Sequence, residues 1–184
     1  MQAHESAPPG LRERKKERTR RTIRSEAFRL FKEQGYAETT VEQIAAAAEV
    51  SPSTFFRYFP SKEQLVIADD LDAPMLEALQ RQPMELPLLE ALRRASDEVF
   101  THLPDDLQEF EYTRLGFMHS VPELRGAVAQ EAERNMNLMI DIAAQRTGRD
   151  RDDPEIQMFA GALIGGFQGL IRAGNPIEPT LIHR

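Results

Sequence analysis

The chain has 184 residues, no cysteine and a formal net charge of -7, which excludes disulfide and thiol chemistry and leaves room for one ordinary domain or a small module joined to a larger one. The charge is uneven: residues 1–62 hold twelve Lys/Arg against eight Asp/Glu, a net of +4, and the remainder holds eleven against twenty-two, a net of -11. With no span near the ~20 apolar residues of a membrane helix and no apolar run typical of a signal peptide, a cytoplasmic protein is expected, with any phosphate-backbone contact confined to its basic end.

Residues 1–11, polar and containing Pro8, Pro9 and Gly10, read as a disordered tail. From about Arg12 a helix is predicted, because Ile23, Ala27, Leu30 and Phe31 fall at helical spacing, and Gly35 is placed to stop it in a left-handed C-cap. A two-turn helix should follow from Thr40, with Gln43 completing a capping box and Val41, Ile44, Ala45 and Ala48 turned inward. Another starts after Ser51 as N-cap, with Pro52 at its first position, and ends before Pro60. Ser61 and Gln64 repeat the capping-box pattern ahead of a helix carrying Leu65, Val66 and Leu71. With that helix as the first of them, the helices of the body are predicted over 62–81, 85–101, 104–119, 122–147 and 154–173, separated by prolines and by the polar run Gly148 to Pro154; the last residues, with Pro176 and Pro179, read as a tail. Alternating Val/Ile runs are missing, so the fold class is all-α. The domain reading is a tail over 1–11, a helix-turn-helix domain over 12–61, a helical effector-binding and dimerisation domain over 62–175, and a tail over 176–184.

Short helices are marginal in water, so 41–48 and 52–58 must be held by packing, for which Ile23, Ala27, Phe31, Val41, Ile44, Ala45, Val50, Phe55 and Phe59 supply a core. Phe55 and Phe59, four apart, point inward together and leave Pro52, Ser53, Phe56 and Arg57 facing solvent or a DNA groove. A major groove admits one helix, whose first residues approach base edges. Ser53 and Arg57 are therefore the base-edge candidates, Arg57 by bidentate pairing to guanine, while Thr40, Thr54 and Tyr58 are candidate phosphate ligands and Lys62 offers a point charge beside Ser61. Ser51 and Pro52, opening the helix, complete the candidate DNA-binding set. The basic run Arg12 to Arg24 reads either as a solvated face or as supplementary phosphate or minor-groove contact.

These residues carry a resemblance. Phe31, Gly35, Tyr36, Thr39, Thr40, Val41, Ile44, Ala45, Ala48, Val50, Ser51, Thr54, Phe55, Phe56, Tyr58, Phe59, Ser61, Lys62, Glu63 and Leu65 stand in the spacing of the operator-binding domain of the TetR family of transcriptional regulators, over roughly residues 17–66. The body resembles the family in layout and length, including a Val121 to Arg125 segment (VPELR) like that of many actinobacterial members. The resemblance implies that Thr40, Ser53, Thr54, Phe56, Arg57, Tyr58 and Lys62 lie at or near DNA. Two positions depart from the family pattern: Phe56 stands where tyrosine is common, and Glu49 where glycine is common in the turn.

One reading helix contacts too few base pairs for an operator, which favours a homodimer on a palindromic site. Phe159, Leu163, Phe167 and Leu170 form an apolar stripe among Gly161, Gly165, Gly166 and Gly169, and this segment is the dimer candidate, with intrachain packing as the alternative. The resemblance adds that the last two major helices pair with the partner's in a four-helix bundle. Met75, Leu79, Leu92, Phe100, Phe110, Tyr112, Phe117, Met118, Met136 and Met139 are candidates for an apolar effector pocket, or else ordinary core. His4, His102, His119 and His183 lack metal-ligand spacing, the acids near His102 form no known metal motif, and no phosphate-binding glycine loop is present, so no enzyme activity, metal or cofactor is expected. The expected function is a ligand-responsive regulator, most simply a repressor, that binds double-stranded operator DNA as a homodimer and is released by a small hydrophobic or aromatic effector, without membrane association. An activator or ligand-independent regulator, or a helical interaction or ligand-storage module, are the alternatives.

Overall fold

A computed structural model describes residues 10–172, and among these every regular element is helical. The tails expected at either end fall largely outside the described residues. The chain divides into two compact units, Met1–Leu65 and Val66–Arg184.

The first unit contains α1 (Leu11–Gln34), α2 (Val41–Ala47) and α3 (Pro52–Tyr58), with α2 packed on both α1 and α3. Ile23, Ala27, Phe31, Ile44, Ala45, Phe55 and Phe59 are buried as the periodicity predicts, whereas Val41 and Val50 are half-buried. Phe28 and Tyr36 join this core, and the Phe31 ring lies 4.9 Å from Tyr36 and 5.6 Å from Phe28. Gly35 ends α1 as expected, but at φ 91° and ψ 155° it occupies a region beyond the left-handed helical one that is essentially reserved to glycine.

The second unit holds α4 (Gln64–Ile67), whose first two residues belong to the first unit, then α5 (Asp72–Arg81), α6 (Leu88–Thr101), α7 (Asp105–Ser120), the 3-10 turn Pro122–Leu124, α8 (Arg125–Thr147) and α9 (Pro154–Arg172). α5 packs on α6, and α8 on α9. The single helix predicted over 62–81 is instead two, broken at 68–71. The cause is long-range: the Arg114 guanidinium on α7 takes the carbonyls of Val66 and Ile67, and the Asp69 carboxylate turns back to accept the Leu71 N–H at 2.7 Å. Arg114 is itself buried, paired with Asp69 at 2.7 Å and Glu111 at 2.6 Å. Burial opposes its charge, and the two carboxylates more than offset this, raising its pKa. α7 therefore turns charged side chains inward, while Tyr112, assigned to an apolar pocket by its chemistry, is exposed.

Candidate nucleic-acid interface

The turn between α2 and α3 is built from side chains that satisfy helix ends. Thr40 caps α2 by accepting the Gln43 N–H at 3.2 Å, and the Gln43 side chain accepts the Thr40 N–H at 2.9 Å, the reciprocal box expected from the sequence. At the other end of α2 the Val50 N–H reaches the Ala45 carbonyl and the Glu49 N–H the Ala46 carbonyl. That pair of bonds is a Schellman closure, which needs a left-handed residue at its centre. Glu49 takes that conformation at φ 54°, the sole non-glycine residue to do so among the described residues. Ser51 then caps α3 by accepting the Thr54 N–H at 3.1 Å, with Pro52 at the first position where no N–H is needed.

α3 buries Phe55 and holds Thr54 and Tyr58 at its flanks, leaving Pro52, Ser53, Phe56 and Arg57 exposed. The Ser53 hydroxyl pairs with that of Ser51 at 2.9 Å, and the Arg57 guanidinium lies 5.4 Å from the Tyr58 ring centroid. The four residues predicted to face outward from α3 do so. The exposed face runs from Pro52 at one edge, through Phe56 and Ser53, to Arg57 at the other.

Lys62 stands differently from the other candidate contacts. Its ammonium donates to the carbonyls of Tyr36 and Thr39 at 2.8 and 2.9 Å, and sits 4.2 Å from the Tyr36 ring centroid. Its charge thus clamps the turn between α1 and α2, a role that pattern matching does not reveal because its partners lie more than twenty residues upstream. The Ser61 hydroxyl bonds the Glu63 carboxyl two positions on and holds it below its ordinary range. Within the basic run of α1, Arg24 is buried and donates to the Leu65 carbonyl at 2.9 Å, and Arg20 lies 5.2 Å from the Phe59 ring. Arg12, Arg14, Lys15, Lys16, Arg18 and Arg21 remain exposed on α1.

The ten pocket candidates fall into separate surroundings. Met75, Leu79 and Leu92 pack with Ala78, Ala91, Ala95 and Ile142. Met136 and Met139 pack instead with Ile140, Ala143, Ile156 and Ala160. Met118 places its sulfur 3.4 Å from the Arg114 guanidinium, and Phe100, Phe110 and Phe117 are half-buried.

On α9, Phe159 packs inward on the α8–α9 core and Leu163 is half-buried, while Met158, Ala162, Gly165, Gly166 and Gly169 are exposed. The side chains of Phe167 and Leu170 lie outside the described residues. A Cβ added at Gly161, Gly165, Gly166 or Gly169 meets nothing within 4 Å, and none of the four has a positive φ. Among the described residues, packing within the chain gives no reason for glycine at these positions. Among the described residues no group of three or more metal-ligating side chains converges, and no helix is long and apolar enough to cross a membrane.

Comparison with known proteins places this geometry. Residues 23–68 match the model for bacterial regulatory proteins of the tetR family, and residues 86–173 match the model described as the MftR C-terminal domain. The chain is similar to the HTH-type transcriptional regulator TcmR of Streptomyces glaucescens, with 38% identity over 152 residues, 79% of this chain and 67% of that protein. It is also similar to the uncharacterized HTH-type regulator YuxN of Bacillus subtilis, with 43% identity over 42 residues, only 23% of this chain and 14% of that one. Among solved structures, NalD, the secondary repressor of the MexAB-OprM multidrug efflux pump in Pseudomonas aeruginosa, shares the fold with TM-score 0.58 and 24% identity over 90% of each chain. The multidrug binding protein EbrR, solved with imidazole, shares it with TM-score 0.50 and 20% identity over 89% of each chain.

Proposed function

Because the chain belongs to the TetR family of bacterial regulatory proteins, we propose that it is a repressor that grips a palindromic operator as a homodimer and releases it when a small apolar or aromatic molecule binds the second unit. Family membership makes it a transcription regulator and not an enzyme. The single observation that carries the operator reading is the exposed face of α3, four side chains presented by a helix too short to stand without the core behind it.

Pairing of two chains is supported by α9. Glycine inside a helix costs up to about 1 kcal/mol against alanine, and these four have no positive φ and, among the described residues, no neighbour that an added Cβ would meet, which favours a close approach by another helix as the reason for them. A second α9 laid against the Met158, Ala162, Gly165 and Gly169 face supplies one, since small residues let two backbones approach closely. On this reading the dimer surface centres on Met158, Ala162, Gly165 and Gly169 and not on Phe159 and Leu163, with Gly166 at its edge, about 20° round the helix from Phe159.

The effector reading rests on chemistry. Met75 on α5 and Leu92 on α6 are half-buried, and thioether and aromatic side chains adapt to varied apolar shapes. Release requires that the ligand bind the DNA-incompetent state more tightly than the competent one. A gel-shift titration on the duplex upstream of the protein's own gene, at several salt concentrations and against random competitor, tests the reading. A selective, salt-sensitive complex containing two chains is expected; equal affinity for random DNA overturns it.

A further inference from the structure

At about 100° per residue, the exposed side chains of α3 follow one another as Pro52, Phe56, Ser53 and Arg57 across an arc of about 140°. Phe56 and Ser53 hold the middle of that arc. The two polar members are drawn aside, Ser53 toward the Ser51 hydroxyl and Arg57 across the Tyr58 ring. Phe56 is the one large side chain left facing straight out, 51% exposed. It is also held in place: its ring meets buried Phe55 edge-on, with centroids 5.4 Å apart and planes at 87°.

A phenyl ring has no donor or acceptor, so it reads nothing of the N7, O6, N4 or O4 groups on base edges. The one apolar feature a base edge shows in the major groove is the 5-methyl of thymine. On the reading that α3 enters that groove, we infer that Phe56 is a specificity-determining residue that selects one thymine in each half-site through its methyl group. Exposure of an aromatic ring on a soluble surface is unfavourable in the free protein and is relieved when the ring covers that methyl. Arg57, at the edge of the arc, then reads the neighbouring base pair or a phosphate.

The test separates this inference from the reading beneath it. The full chain is used to select duplexes from a randomised pool, and each thymine of the selected duplex is replaced in turn by deoxyuridine, which removes the methyl and keeps every hydrogen-bonding group. One symmetry-related position should respond, with affinity falling about fourfold for one half-site and about fifteenfold for both, the worth of one buried methyl per site. Phe56→Ala should bind the thymine and uracil duplexes equally, and Phe56→Leu should keep part of the preference. Tight, selective binding by the wild type that ignores every thymine-to-uracil exchange overturns the role of Phe56 and leaves operator binding standing. A Phe56→Ala loss of equal size on all sequences also overturns it, as a contact to sugar or phosphate would produce. Selection that yields no preferred sequence overturns both.

Discussion

Glu49→Gly should make the reading unit more stable, by an amount that follows from the turn's geometry. Glu49 lies at φ 54° because the two bonds closing α2, Val50 N–H to Ala45 and Glu49 N–H to Ala46, are made only if the chain reverses there. Holding an L-residue in that conformation costs roughly 1–2 kcal/mol, since Cβ crowds the following carbonyl. Glycine removes that cost but loses about 0.4–1 kcal/mol through the larger entropy of its unfolded chain. The net gain lies between about 0 and 1.6 kcal/mol, centred near 0.8 kcal/mol. To it is added a few tenths from removing a carboxylate beside the negative end of α2. Glu49→Ala is the control, because it keeps Cβ and removes the charge. Urea unfolding of the full chain followed by circular dichroism, with amide exchange read in α2 and α3, should rank Gly above Ala, and Ala slightly above the wild type. Equal gains for Gly and Ala would show that charge and not backbone conformation sets the cost at this position, and a loss for Gly would refute the strain argument outright.

Lys62→Met should lower the stability of the first unit by about 2–3 kcal/mol in thermal melts, since it leaves two carbonyls without their charged donor; a variant as stable as the wild type but weaker on DNA at all sequences would restore a phosphate role. Arg114→Met should cost about 3–5 kcal/mol in urea unfolding, because Asp69 and Glu111 are left together without a counter-charge. Partial desolvation, then repulsion from Asp69 and Glu131, pushes the Asp72 carboxyl up to about 6. The folded chain therefore holds this proton more tightly than the unfolded one, and stability falls as pH rises through that value; Asp72→Asn should be more stable than the wild type at pH 8, with the difference vanishing near pH 4 in pH-dependent melts. Gly165→Leu should leave helix content unchanged and reduce the sedimenting mass to that of one chain, while a dimer of undiminished affinity would remove this face of α9 from the interface.

The reading unit was legible in the sequence because its signals are local. Capping at Thr40 and Ser51, proline at position 52 and the inward pairing of Phe55 with Phe59 each depend on residues within four positions. Helix existence in the second unit was legible for the same reason, from proline breaks and periodicity. What escaped was set by distant partners. Arg114 looks like a surface residue of α7 until Asp69 and the Val66 carbonyl, more than forty positions away, are brought to it, and that same contact breaks the helix predicted over 62–81. Lys62 and Arg24 carry charges that pattern reading assigns to phosphates, yet both are drawn to backbone carbonyls of their own unit. On α9 the apolar pattern pointed to Phe159, which packs inward, while the exposed glycines could be weighed only once the described residues showed nothing beside them.

Selection of duplexes from a randomised pool by the full chain, with the number of chains bound to the winning duplex determined by mass, bears most directly on the claim that α3 reads DNA from a paired molecule. A two-fold symmetric sequence carrying an even number of chains, with half-sites about one helical turn apart or a multiple of that, is the predicted result. An unsymmetric winner bound by a single chain, or no winner at all, would contradict it.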